Sequence, residues 1–138
     1  MKYSFLLCFF LFAGLLTAQS AKVTNEQVAA AAAEVTAIYN LDADQQIAIV
    51  KIERTRLENL AAIAPLQTKD KVKYYAKRKS SHIGEQNSIE RILNTTEQRA
   101  IFQQRKTAAR IAESDRIKEL RAQGYNGDAI RVRLLESY

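Results

Sequence analysis

The residues that could carry out chemistry are few and are scattered along the 138-residue chain. The one histidine is His82, and within a helical turn of it we count only Gln86 as a neighbour of ligand type. A metal site needs several converging nitrogen, sulfur or oxygen ligands. The pattern therefore favours a plain polar or turn-region histidine, and we predict neither a metal nor a cofactor.

Carboxylates lie among arginines and lysines at helical spacing, which is typical of solvated ion pairs on helix surfaces. The candidates are Glu53, Glu58, Glu113 and Asp115. A general acid–base pair would need burial and a cleft, and the sequence indicates neither. The chain also lacks a glycine-rich phosphate loop and a serine nucleophile motif. These observations predict that the protein is not an enzyme.

A basic run is the strongest candidate for binding a partner. Six of the eleven residues from 69 to 79 are cationic, and two tyrosines lie among them. The run comprises Lys69, Lys71, Lys73, Tyr74, Tyr75, Lys77, Arg78 and Lys79. One interpretation is a solvated helix face. The other is an electrostatic patch that attracts acidic proteins or anionic lipid headgroups.

Two stretches have the spacing of a capping box, in which an N-cap side chain and a glutamine or glutamate three residues later satisfy each other's backbone N–H groups. The first follows Leu41 and pairs Asp42 with Gln45. The second has two competing registers: Asn94 with Glu97, or Thr95 with Gln98. Each stretch predicts the start of a long helix.

The remaining elements are also helical, because the apolar residues recur with a period near 3.6 and no segment alternates like a strand. We predict helices over residues 24–39, 42–64, 69–93, 95–123 and 128–136, with a possible break near 80–84. Thr68 or Asp70 could cap the third helix. The apolar face of the second helix comprises Ile47, Val50, Leu57, Leu60, Ala61 and Ala64, and Ile49 and Ile52 widen it in the first half. The predicted fold is all-α: an elongated antiparallel helical hairpin of about four to five helices with no sheet.

Residues 1–20 have the pattern of a secretory signal peptide. Lys2 precedes an apolar run over residues 5–16, and small residues follow, so cleavage after Ala18 or after Ser20 fits. Cys8, the one cysteine, lies inside the apolar run, so we expect no lipid attachment. The sequence predicts a soluble periplasmic or secreted protein with one all-helical domain over residues 21–138.

Export has consequences for the partners that the chain is expected to meet. The formal net charge is +6, yet nucleic acid is not an expected partner outside the cytoplasm. The predicted helices have narrow, alanine-rich apolar faces, which form a thin layer with partly exposed apolar surface. Because self-association would bury that surface, we expect a homodimer.

Taken together, the export pattern and the two helix starts resemble the small periplasmic LTxxQ proteins, the Spy/CpxP group. The first match is Leu41-Asp42-Ala43-Asp44-Gln45, with Asp in place of Thr. The second is Thr95-Thr96-Glu97-Gln98, in which Asn94 stands at the leucine position and Leu93 lies one residue early. The resemblance covers about residues 38–122.

The resemblance implies a long-helix hairpin that dimerises into a curved cradle. It also implies a concave basic face that holds unfolding client proteins without ATP or receives an envelope-stress signal. Some relatives bind zinc, which we do not carry over to a chain with one histidine. The expected function is chaperone-like or stress-related binding of unfolded or acidic proteins. The alternative is a structural or adaptor protein that contacts the anionic envelope or an acidic partner.

Overall fold

The computed structural model describes residues 22–138 of the chain. The predicted signal peptide and both of its candidate cleavage positions lie outside the described residues. Six helices follow one another: α1 (Asn25–Tyr39), α2 (Ala43–Ile63), α3 (Leu66–Lys69), α4 (Lys71–Ile92), α5 (Thr96–Ala122) and α6 (Gly127–Glu136). There is no strand between residues 22 and 138, so the all-α prediction is confirmed.

The long helices α2 and α4 pack side by side and run in opposite directions. The start of α2 contacts the end of α4, and Arg56 in the middle of α2 reaches Glu85 on α4. Helix α1 packs on α2 and meets α5 where the rings of Tyr39 and Phe102 lie 6.3 Å apart. Helix α6 turns back against α4 and α5. The elongated hairpin stays a prediction beyond this antiparallel α2–α4 pair.

The helix ends follow the turn chemistry in the sequence. Asn40 ends α1 in the left-handed conformation, with φ 49°, and Gly124 follows α5 with φ 84°. These φ values suit asparagine and glycine, which tolerate the left-handed region best. Helix α6 begins at Gly127, one residue before its predicted start, because the Asn126 side chain accepts from the N–H of Ala129.

Two parts of the helix prediction are wrong. A four-residue helix, α3, follows Pro65 and raises the number of helices in residues 22–138 to six. Helix α4 is continuous through residues 80–84, where we predicted a possible break. Packing against α2 along its length outweighs the low helix propensity of this stretch. Of the two candidate caps, it is Asp70 that accepts from the N–H of Lys73 at 2.9 Å.

Gly84→Ala is expected to raise the free energy of unfolding by about 0.5–1 kcal/mol. Gly84 lies inside α4, and a Cβ atom there would meet nothing within 4 Å, so alanine causes no clash. Alanine also lowers the conformational entropy of the unfolded chain, which favours the folded state. Urea unfolding measures the change. The matched control is Gly124→Ala, which should destabilise because of its positive φ. An unchanged or lower stability of Gly84→Ala would contradict this account of α4.

The core lies at the end of the molecule where α1, α2, α4 and α5 meet. Its buried residues are Ala32, Tyr39, Leu41, Ile49, Ile89, Leu93 and Phe102. On α2 the predicted apolar face is wrong in part, because Ile47 and Val50 are 61% and 38% exposed, whereas Ile49 is fully buried as predicted. The buried stripe of α2 is Gln45, Ile49 and Glu53. Two of these three residues are polar, so hydrophobic periodicity does not reveal the stripe.

A search of the helices in residues 22–138 finds none that is both long and apolar enough to cross a membrane.

Candidate functional site

The two predicted helix starts are capping boxes, and the structure brings them together. Asp42 accepts from the N–H of Gln45 at 2.9 Å, and Gln45 Oε1 accepts from the N–H of Asp42 at 2.9 Å. This bond from the Gln45 N–H holds the pKa of the Asp42 carboxyl below its ordinary value. Leu41 precedes the box and is buried in the core.

At the second start the Thr95 register is the one formed. Thr95 accepts from the N–H of Gln98 at 3.1 Å, and Gln98 Oε1 accepts from the N–H groups of Thr95 and Asn94. The Asn94 side chain instead donates to the Asp42 carboxylate at 3.3 Å. Asn94 therefore links the two helix starts and does not cap its own helix.

Gln45 and Gln98 form a reciprocal pair of buried amides. Each Nε2 donates to the Oε1 of the other glutamine, at 2.9 and 2.8 Å. The remaining N–H of Gln45 donates to the carbonyl of Ile92 at 2.7 Å, and that of Gln98 to the carbonyl of Asn40 at 3.4 Å. The pair ties the starts of α2 and α5 to the ends of α1 and α4. Its role is structural, because both amides are fully hydrogen-bonded and buried.

The basic run is divided between two environments. Lys69, Lys71, Lys73 and Lys77 are exposed, and none of them takes part in an ion pair within residues 22–138. Tyr74 and Tyr75 are half-buried, with an edge-to-face contact at 5.2 Å between their rings. Arg78 is half-buried as well. The exposed part thus offers free cations beside aromatic surface.

Lys79 is occupied by contacts within the molecule. Its ammonium lies 3.8 Å from the Glu113 carboxylate and 4.5 Å from the centre of the Tyr138 ring. Tyr138 also donates to Glu113 at 3.3 Å and packs its ring near His82. Lys79 joins α4 to α5. We predicted it as a free cation for partner binding, but its ammonium group already has partners within the molecule.

An open cleft separates the outer faces of α2 and α4. Its larger part has a volume of about 680 Å³, and an adjoining part of about 470 Å³ shares Lys51, Ile52 and Ser88 with it. Lys51 on α2 and Lys77 on α4 both line the larger part. Neither Ile49 nor Ile89 lines this cleft. The spacing of residues in the sequence does not reveal this cleft.

Below the cleft, Glu53 is the most buried charged group on α2, with 1% of its surface exposed. Arg56 donates to Glu53 Oε2 at 2.7 Å, and the same nitrogen lies 3.4 Å from Glu85 Oε1 on α4. Glu53 Oε1 is buried without a hydrogen-bond partner among the described residues. A protonated Glu53 carboxyl can donate to the Glu85 carboxylate, and this hydrogen bond acts to raise the pKa of Glu53.

The surroundings move the two carboxyl groups apart in pKa. Burial raises the pKa of Glu53 above its ordinary value, against the hydrogen bond and charge of Arg56, and the negative charge of Glu85 adds to the rise. Burial also acts to raise the pKa of Glu85, but the His82 hydrogen bond and the Arg56 charge outweigh it, so this pKa is lowered. Glu85 is therefore the ionised member of the pair.

Two interpretations from the sequence need correction here. Glu53 is buried and is not a solvated surface carboxylate. His82 has a carboxylate neighbour one turn away, since its Nδ1 lies 3.4 Å from Glu85, which we overlooked when we counted only Gln86. The spacing of Glu53, four residues from Ile49 and three from Arg56, was the available signal.

Chemically, the described residues are equipped for binding. No group of three or more histidine, cysteine, aspartate or glutamate side chains in residues 22–138 could hold a metal ion. Three of the four free cations lie on α4, and Lys69 is the last residue of α3. The cleft lies between α2 and α4, which Gln45 links through its hydrogen bond to the Ile92 carbonyl. Comparison with family models, with curated proteins and with solved structures finds no match to this chain.

Proposed function

We propose that the chain is an exported helical binding protein that holds unfolding or acidic client proteins on the basic face of α4. The observation that supports this most directly is the exposed start of α4. Within residues 22–138, Lys71, Lys73 and Lys77 form no ion pair, and Val72 is 51% exposed. Such a face attracts acidic segments at long range and binds apolar ones on contact.

Membership of the LTxxQ group remains part of the proposal. In its favour, the two motifs do more than cap separate helices, since Gln45 and Gln98 bond directly to each other. In this pairing, the glutamine of each motif joins the start of α2 to the start of α5. Periplasmic location, homodimer formation and the absence of catalysis belong to the same proposal.

The proposal predicts that the protein, at equimolar ratio, suppresses light scattering by heat-unfolded citrate synthase. Suppression is expected because the client exposes apolar segments and acidic side chains that the α4 face can bind. Serum albumin at the same mass concentration serves as the control for crowding. No suppression at severalfold excess would contradict client holding. Salt-sensitive binding to phosphatidylglycerol vesicles without suppression would favour the adaptor function instead.

A further inference from the structure

We infer that the α2–α4 cleft is the binding site for an extended acidic segment of a partner protein. The inference rests on the proposed function and names the part of the client that is bound and where it lies. The basic run gives the first attraction, whereas the cleft gives a defined binding position. It is a concave surface of about 680 Å³ that residues of both helices line.

Charge complementarity determines the kind of occupant. Lys51 and Lys77 face the cleft from opposite helices, and neither has an ion-pair partner within residues 22–138. Glu85 also lines the cleft, but Arg56 and His82 both lie within 3.4 Å of it. In the adjoining part, Asp44 and Arg91 contribute opposite charges. The two free ammonium groups therefore leave the cleft positive, and an acidic segment neutralises them.

The lining also fits a peptide backbone. On α4 the cleft is bordered by small residues, Ser80, Ser81, Gly84 and Ser88. Small side chains let a bound backbone approach closely, and their hydroxyl groups can hydrogen-bond its N–H and C=O groups. Ser80 is exposed at this border, so its hydroxyl is accessible for such a bond.

Apolar side chains line the α2 side of the same cleft. Ile52 and Ile63 border the larger part, and Ile47 borders the adjoining part with 61% of its surface exposed. A segment that alternates acidic and apolar residues would place its apolar side chains here. A second copy of this chain brings the same positive rim, so charge repulsion disfavours it as the occupant.

The length of the cleft sets the length of the segment. Its lining residues on α2 run from Asp44 to Ile63, which spans roughly 28 Å at 1.5 Å per helical residue. An extended chain covers that distance in about eight or nine residues.

The test uses a fluorescein-labelled peptide of alternating aspartate and leucine, about eight residues long, whose anisotropy is followed as the full chain is added. Gly84→Leu is the principal variant, because it fills the cleft without changing charge and replaces glycine inside a helix. Gly84→Leu and the double change Lys51→Glu/Lys77→Glu should each weaken binding by about tenfold or more. Binding of the matched lysine–leucine peptide should be undetectable.

The control is Arg110→Glu/Arg131→Glu, which changes the net charge equally at exposed positions outside the cleft. It should bind the acidic peptide nearly as well as the unchanged protein. Full binding by a folded Gly84→Leu variant, verified by circular dichroism, would overturn the inference. So would equal weakening by the control. Peptide binding in the cleft without aggregation suppression would contradict the proposed function alone, whereas suppression that Gly84→Leu leaves intact would contradict the cleft alone.

Discussion

Gln98→Ala is expected to lower the free energy of unfolding by about 3 kcal/mol. The Gln98 side chain takes part in five hydrogen bonds, two of them with Gln45 and the others with backbone groups of Asn40, Asn94 and Thr95. Alanine removes all five and leaves part of the Gln45 amide buried without a partner. An unsatisfied buried amide costs more than the loss of an exposed hydrogen bond.

Urea unfolding followed by circular dichroism at 222 nm measures this effect. Gln27→Ala is the matched control, because Gln27 completes the capping box of Thr24 at the surface, where water can replace it. The control variant should lower the free energy of unfolding by at most about 1 kcal/mol. Equal costs for the two variants would show that Gln98 acts only as a local cap and does not join α2 to α5.

Glu53→Gln is expected to stabilise the protein by about 1 kcal/mol at roughly pH 8 and to have little effect near pH 4. Glutamine has the shape of the protonated acid, so it can accept from Arg56 and donate to Glu85. In the ionised protein, Glu53 Oε1 is buried without a hydrogen-bond partner among the described residues. In the variant, an amide NH₂ group replaces that oxygen and can donate a hydrogen bond.

The direction of the pH dependence follows from the pKa shifts. The raised pKa of Glu53 means that its contribution to stability is complete below the unfolded-state pKa and is lost as the pH rises through the folded-state pKa. Glu85 behaves oppositely, because its pKa is lowered and its contribution is lost as the pH falls. Helix α1, the other helix packed on α2, contributes no charge to either shift.

Urea unfolding at several pH values compares Glu53→Gln with the unchanged protein. Glu58→Gln is the control, since Glu58 is exposed on the same helix. Glu58→Gln should leave the pH dependence of the free energy of unfolding unchanged. A Glu53→Gln variant that is less stable than the unchanged protein at alkaline pH would show that the ionised carboxylate is the stabilising form.

The helix starts could be predicted from the sequence because capping depends on residues only three positions apart. Asp42 with Gln45 and Thr95 with Gln98 both form the predicted bonds. The choice between the Asn94 and Thr95 registers was not available from local spacing. It follows from a contact across 53 positions, in which Gln98 must reach Gln45.

The candidate binding surface was predicted in part. The basic run is exposed at Lys71, Lys73 and Lys77, as charge alone indicates, but Lys79 is engaged by Glu113 and Tyr138 from distant parts of the chain. The cleft depends on which faces of α2 and α4 turn outward. Because two of the three residues in the buried stripe of α2 are polar, hydrophobic spacing adds the exposed Ile47 to the predicted face and does not reveal the cleft.

The buried carboxyl pair was missed for a related reason. Glu53 and Arg56 have the spacing of an ordinary surface ion pair, and the sequence does not show that Glu85 approaches from α4. Burial distinguishes the two cases, and burial depends on the packing of α2 between α1 and α4. Tertiary contacts therefore decide whether the same local pattern is a solvated pair or a buried, pH-sensitive one.

The central claim is that free cations on the α4 face hold unfolding clients. The most direct measurement compares suppression of citrate synthase aggregation by the unchanged protein and by Lys69→Glu/Lys71→Glu/Lys73→Glu, at low salt and at roughly 0.5 M salt. These lysines lie outside the cleft, and Arg110→Glu/Arg121→Glu/Arg131→Glu is the control of equal charge. We predict that suppression by the unchanged protein weakens in high salt, that the lysine variant loses it at low salt and that the control keeps it. Suppression by the lysine variant equal to that of the unchanged protein, at both salt concentrations, would contradict the claim.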